Sequence, residues 1–328
     1  MPRTRRDQHE ADRDQVNVDL DKPQSHRDGQ VRQDDDLAFF EESLEALFDH
    51  VTPLHGSPNE LYTYRIPRND KANSKERHES LNAALELRVW IPPQSRNELF
   101  AHHVWNASLR MAELIALDRV HLANRKVLEL GAGTGIPGLT AAVAGRANKV
   151  VLTDYDDRDM IINLQRNARR AIDDHHMDAD RIVVRGHTWG NDPEPLLALS
   201  TELRGYDVIL LADCIWNGAA HDALLKSINA LLLKSDRSDI TTPNEDKPFV
   251  MVVSGFHSGR ACVRSFLLKA AQGYGLVETG GWREISVDGR ERPWGWDLSA
   301  AGEEPEHEVE LEAERNRWVV TGRLTRCQ

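Results

Sequence analysis

Val127-Leu128-Glu129-Leu130-Gly131-Ala132-Gly133-Thr134-Gly135 is a short apolar run that breaks abruptly into glycine. A run in which three of four residues are apolar suits a strand covered on both faces, as in a parallel sheet. Glycines at its end let the backbone turn tightly and come close to a ligand. A second run, Lys149-Val150-Val151-Leu152-Thr153-Asp154, ends in a carboxylate about 20 residues further on, where it can accept both hydroxyls of a ribose. Together the two segments predict the nucleotide-binding end of a doubly wound α/β sheet.

The glycine register chooses between ligands. A dinucleotide fingerprint requires G-x-G-x-x-G, but counting from Gly131 the sixth residue is Ile136 and the next glycine is Gly138. Glu129, two residues before the first glycine, suits a ligand with a positive amine and no pyrophosphate. S-adenosylmethionine has that profile. A glycine turn that merely packs helix on strand explains the loop alone, but not its combination with Glu129 and Asp154.

Outward from this centre the pattern is regular. Strands are expected at 126–130, 149–154, 181–185, 206–213 and 249–254, with helices from Pro137, over 158–171, 219–234 and 259–272. This alternation predicts a mostly parallel sheet with helices on both faces. Strands at 276–279 and 317–322 have no helix between them and read as an antiparallel hairpin at the sheet edge. Upstream, a helix is expected over 98–117, strands over 61–66 and 85–90, a loop around 71–80 and a short amphipathic helix over 37–47. The organisation is thus a tail (1–36), an extension (37–97) and a catalytic domain (98–328).

The tail holds seven basic and ten acidic residues and few large apolar ones, so it cannot bury enough surface to offset its ordering entropy. It carries −3 of the formal −12; the rest lies further along the 328 residues. An acidic chain is poorly suited to nucleic acid and attracts basic partners instead. Cys214, Cys262 and Cys327 are too scattered for a disulfide framework or a cysteine-rich metal site. Neither a signal-peptide pattern nor an 18-residue apolar stretch is present, so a reducing, cytoplasmic setting is expected. His102-His103 are adjacent rather than spaced for one helical face, and Ser254-Gly255 fails the nucleophile-elbow pattern because position 252 is Val. No metal and no nucleophilic serine are therefore expected.

Four segments carry a specific resemblance. They are Phe100 to Ser108, Val127 to Gly138, Gly186-His187-Thr188-Trp189-Gly190-Asn191-Asp192, and Leu211-Ala212-Asp213-Cys214-Ile215-Trp216-Asn217. The chain resembles the seven-β-strand lysine methyltransferases of family 16. Within them it is similar to the fungal nicotinamide N-methyltransferase-like branch, which includes the enzyme acting on the N-terminus and a nearby lysine of elongation factor 1-alpha. The resemblance implies a Rossmann-like methyltransferase sheet and transfer from S-adenosylmethionine to a lysine or N-terminal amine of a protein. It implies that Trp105 lies against the methionine end of the cofactor, that Gly131, Ala132 and Gly133 form the loop beside it, and that Asp154 binds the ribose. Trp189 would stack near the adenine, Ala212 would line the pocket, and Asp213 would face the acceptor nitrogen. Trp216 would then shield a cationic nitrogen by cation–π contact. The chain departs from the family in having Trp216 where Tyr or Phe is common. It also has Ser254-Gly255-Phe256-His257-Ser258 where the elongation-factor branch usually shows Pro and basic residues. A small-molecule amine methyltransferase and a non-catalytic binding module of the same fold are the alternative readings.

Overall fold

The computed structural model describes residues 54–68, 85–93, 102–200, 205–234, 247–295 and 315–327. The expected tail, the helix over 37–47 and the loop at 71–80 lie outside the described residues. In chain order the elements are β1 (Leu54–His55), β2 (Leu61–Arg65), β3 (Glu86–Trp90), β4 (Val104–Trp105), α1 (Asn106–Ala116), β5 (Lys126–Leu130) and α2 (Ile136–Val143). They continue with β6 (Lys149–Asp154), α3 (Arg158–Asp174), β7 (Ile182–Gly186), α4 (Glu194–Leu197), β8 (Val208–Ala212) and α5 (His221–Leu231). The last are β9 (Phe249–Gly255), α6 (Gly259–Tyr274), β10 (Leu276–Ser286), β11 (Glu291–Pro293) and β12 (Trp318–Arg326).

The main sheet has the order β11-β10-β12-β9-β8-β5-β6-β7. Strands β7, β6, β5, β8 and β9 are mutually parallel, and β12 is antiparallel to both β9 and β10. Successive residues of each central strand enter opposite cores. Val127, Val208 and Leu210 pack with α1, α2 and α3, whereas Leu128, Ile209 and Leu211 pack with α5 and α6. This is the doubly wound arrangement, with the period-2 alternation of a strand feeding two hydrophobic layers. A hairpin of β2 and β3 adds Leu87 and Val89 to the first core.

Local chemistry sets the helix ends. Asp157 caps α3 by accepting from the amides of Asp159 and Met160 at 3.0 and 3.3 Å. Gly275, at φ +61°, ends α6 in the left-handed conformation that glycine adopts without strain.

Two expectations are corrected and one is met. Within the described part of the helix expected over 98–117, the helix runs from Asn106 to Ala116, because Val104 and Trp105 are extended and pair with His55 and Leu54. The last strand, β12, pairs antiparallel with β10 as expected. It inserts between β10 and β9, where both neighbours bury it, and β11 takes the edge. Strand β10 does not stop at Thr279 but continues to Ser286 through an irregularity at Gly280 and Gly281, both at positive φ. Beyond this irregularity the buried Trp282 ring lies over Gly322 of β12, in space that any Cβ at 322 would fill.

Candidate active site

The parallel strands deliver their carboxyl ends to one side of the sheet, where doubly wound folds bind ligands. Five connections meet there: the glycine loop after β5, Asp154 at the end of β6, His187 to Gly190 after β7, Asp213 after β8 and Gly255 to His257 after β9.

The glycine loop is held from below and from the side. Glu129 is fully buried, and one carboxylate oxygen accepts the Gly138 amide at 2.9 Å at the start of α2. Its other oxygen, Oε1, is buried without a hydrogen-bond partner. Burial, with the Asp154 charge adding to it, pushes the Glu129 carboxyl up to about 8, against the pull of the Gly138 amide. Gly131 sits at φ +69°, and a Cβ there would lie 2.9 Å from Cys214 Sγ and 3.1 Å from the Trp189 ring. Gly133, at φ +55°, faces open space. The Gly133 amide donates to Asp154 Oδ2 at 2.6 Å, and the Tyr155 amide donates to Oδ1 at 2.7 Å. A carboxylate has about four acceptor positions, so Asp154 retains room for a ribose hydroxyl pair. Burial raises its pKa, and the two amide bonds act against that rise.

Trp189 is fixed by its neighbours. The His187 amide donates to the Asp154 carbonyl at 2.8 Å. The His187 ring and the Gly190 amide both meet Ser227 Oγ, at 2.9 and 2.8 Å. The loop therefore presses the Trp189 indole against Gly131 while tying it to the Asp154 strand end.

Asp213 occupies a strained position. Its side chain is buried, and its φ of +60° is uncommon for a residue with a Cβ, although Asp tolerates it better than most. Its amide donates to the Val253 carbonyl at 2.9 Å. Carboxylate Oδ1 accepts the Gly255 amide at 2.9 Å and the Ser254 hydroxyl at 3.3 Å, and Oδ2 meets His257 Nε2 at 2.8 Å. Burial alone would raise the Asp213 pKa, but the His257 charge and these hydrogen bonds outweigh it and hold the acid below its ordinary value. The His257 ring in turn meets Trp105 edge to face, with centroids 4.7 Å apart.

The structure therefore gathers Glu129, Gly131, Ala132, Gly133, Asp154 and Trp189 at the β5 and β6 ends. It gathers Trp105, Ala212 and Asp213 at the β8 and β9 ends, together with His257. What anchors Trp216 is a different contact, its carbonyl accepting the Cys262 thiol of α6 at 3.4 Å. Sequence reasoning passed over His257. Its signal was its place, two residues beyond the β9 end and opposite Asp213 at the β8 end. Among the described residues there is no group of three or more His, Cys, Asp or Glu side chains able to hold a metal. None of the described helices is long and apolar enough to cross a membrane.

Three observations suit S-adenosylmethionine. Open space faces Gly133 beside the half-engaged Asp154 carboxylate, an indole flanks the loop, and Glu129 keeps an unpaired buried oxygen beneath it.

Fold and site define a Rossmann-like α/β protein with a methyltransferase sheet. The chain belongs to the lysine methyltransferase family, whose sequence signature matches residues 84–247. Three similar relatives are fungal proteins called protein N-terminal and lysine N-methyltransferase EFM7. The Cryptococcus neoformans protein is 34% identical over 150 residues, 46% of this chain and 49% of its own length. The Kluyveromyces lactis protein is 34% identical over 205 residues, covering 58% and 73%, and that of Yarrowia lipolytica 31% over 212, covering 60% and 77%. The match thus spans about half of the Cryptococcus relative and about three quarters of the other two. Among solved structures, the methyltransferase domain of bacterial CtHen1-C is loosely similar, with a TM-score of 0.41 and 16% identity over 67% of this chain and 98% of that one.

Proposed function

We propose that this chain is an S-adenosylmethionine-dependent N-methyltransferase acting on a lysine side chain or N-terminal amine of a protein, in the cytoplasm. Elongation factor 1-alpha is the candidate acceptor we put forward, because the fungal relatives are called N-terminal and lysine methyltransferases and the chain resembles their branch. The observation that carries the reading is the glycine loop with open space at Gly133 and Asp154 beside it, in a chain of the lysine methyltransferase family.

When bound, the cofactor supplies an activated methyl group on a sulfonium. The chain's own residues bind and orient. Asp154 accepts the ribose hydroxyls, Gly131 to Gly133 let the backbone approach, and Trp189 offers an indole face to the adenine. Glu129 acts from beneath, fixing the start of α2 by accepting the Gly138 amide. Trp105 and Ala212 close the methionine end, and Asp213 organises the acceptor side. Trp216 stands on the acceptor side as the aromatic nearest in sequence. Alignment of an amine behind the methyl group is the main task left to such an enzyme, and positioning of this kind contributes up to about 7–11 kcal/mol in ideal cases.

Calorimetry with S-adenosylhomocysteine tests the reading. The wild type binds, and Asp154→Ala loses about 10- to 100-fold in affinity, the worth of hydrogen bonds to a charged group. Absence of binding by the wild type selects the non-catalytic module. Binding followed by methyl transfer only into small amines selects the nicotinamide-like alternative.

A further inference from the structure

We propose that His257 is the proton acceptor of the site: Asp213 holds its Nε2, and its Nδ1 takes a proton from the acceptor ammonium before the amine reacts. This rests on the methyltransferase reading above and extends it to a residue which that reading does not use.

The geometry carries the assignment. Asp213 has little free acceptor capacity for a substrate, because Gly255, Ser254 and His257 already occupy both of its oxygens. Its side chain is 6% exposed, whereas that of His257 is 26% exposed. Between the two, the imidazole is the group that reaches outward. With Nε2–H donating to the carboxylate, the neutral ring has its lone pair on Nδ1, so the hydrogen bond at one nitrogen fixes the tautomer at the other. Gly255 makes this pose feasible, since a Cβ there would lie 2.7 Å from Nε2. Trp105, the residue expected at the methionine end of the cofactor, packs edge to face on the same ring. The imidazole therefore stands between the inferred cofactor pocket and the strand end that carries Asp213.

The step balances as a proton transfer. The N–H bond of the acceptor ammonium breaks and leaves its electron pair on nitrogen. A new N–H bond forms at Nδ1, and the imidazolium returns the proton to water. Among the described residues, two charged groups act on His257: Asp213, which favours the imidazolium, and Arg315, which opposes it. Burial pulls its pKa down, yet the Asp213 charge and hydrogen bond outweigh burial and raise it above 6.5. The rate is thus expected to rise with pH as His257 becomes neutral.

The test compares wild type, His257→Gln and Asp213→Asn. Labelled transfer from S-adenosylmethionine into the total protein of a cell extract is followed from about pH 6 to about pH 9 at saturating cofactor. His257→Gln is expected to keep S-adenosylhomocysteine affinity by calorimetry, to lose about 100-fold in rate and to lose the acid limb of the profile. Side-chain NMR adds a readout without turnover. The His257 titration midpoint is expected above that of a free histidine in the wild type, and to fall in Asp213→Asn. A His257→Gln enzyme with the wild-type rate and pH profile overturns the proposal alone. A wild type that binds S-adenosylhomocysteine but labels no protein overturns protein methylation and the histidine's role together.

Discussion

Glu129 shows how one side chain couples the site to stability. Its carboxyl is fully buried, and its pKa moves from the ordinary 4.5 to about 8. Between those values the folded chain keeps a proton that the unfolded chain has lost, so stability falls as pH rises through that window. Glu129→Gln is expected to abolish this slope and to raise the melting temperature at neutral pH. Thermal unfolding across the window checks it, and an unchanged slope contradicts the burial argument. The sequence placed Glu129, Gly131, Gly133 and Asp154 correctly relative to one another because all four lie on or beside strands whose apolar runs set the register. His257 escaped because its significance depends on Asp213, 44 residues away, reaching it across neighbouring strand ends. No local pattern records that pairing.

At the scale of elements, the hairpin of β2 and β3 is wired to the glycine loop through α3. Asn167 Oδ1 accepts the Trp90 amide at 2.7 Å, and its Nδ2 donates to the Trp90 carbonyl at 2.9 Å and to the Thr134 carbonyl at 3.0 Å. Asn163 adds a second donor to the Trp90 carbonyl at 2.9 Å, and Arg166 lies 3.8 Å over the Trp90 ring. Asn167→Ala is therefore expected to cost about 1–3 kcal/mol in urea unfolding, to speed exchange of the Trp90 amide and to weaken cofactor affinity. On the far side, Glu284 binds Arg260 through two hydrogen bonds of 2.8 Å and also pairs with Arg292 at 2.6 Å. Trp294 stacks on Phe256, the neighbour of His257, with centroids 5.9 Å apart. The tryptophan-rich segment thus braces the loop that carries His257. The parallel strands were legible because each is built on a short, mostly apolar run. The antiparallel C-terminal pair was legible too, but the full length of β10 and the seat of β12 beside β9 were not, because β10 passes through two glycines and β12 is placed by partners distant in sequence. The late start of α1 was hidden for the same reason: Val104 and Trp105 are held extended by β1, about 50 residues upstream.

For the whole molecule, charge and architecture point the same way. The formal charge is −12, and most of it falls outside the first 36 residues. A negative surface draws a basic acceptor toward it, and salt screens that attraction over a distance of about 8 Å at physiological ionic strength. The kcat/KM for a basic protein acceptor is therefore expected to fall as salt is raised, whereas S-adenosylhomocysteine affinity changes little. Equal salt dependence of both contradicts the steering argument. The sheet serves this chemistry by delivering the ends of five strands to one side, so that cofactor and acceptor groups come from separate loops on a rigid base. The most direct test of the account is labelled methyl transfer from S-adenosylmethionine into cell-extract protein, followed by mass spectrometry of the labelled species. The account predicts a methylated lysine or N-terminal amine on a protein, with transfer lost in Asp154→Ala. Label that appears on no protein amine, while S-adenosylhomocysteine still binds, contradicts it.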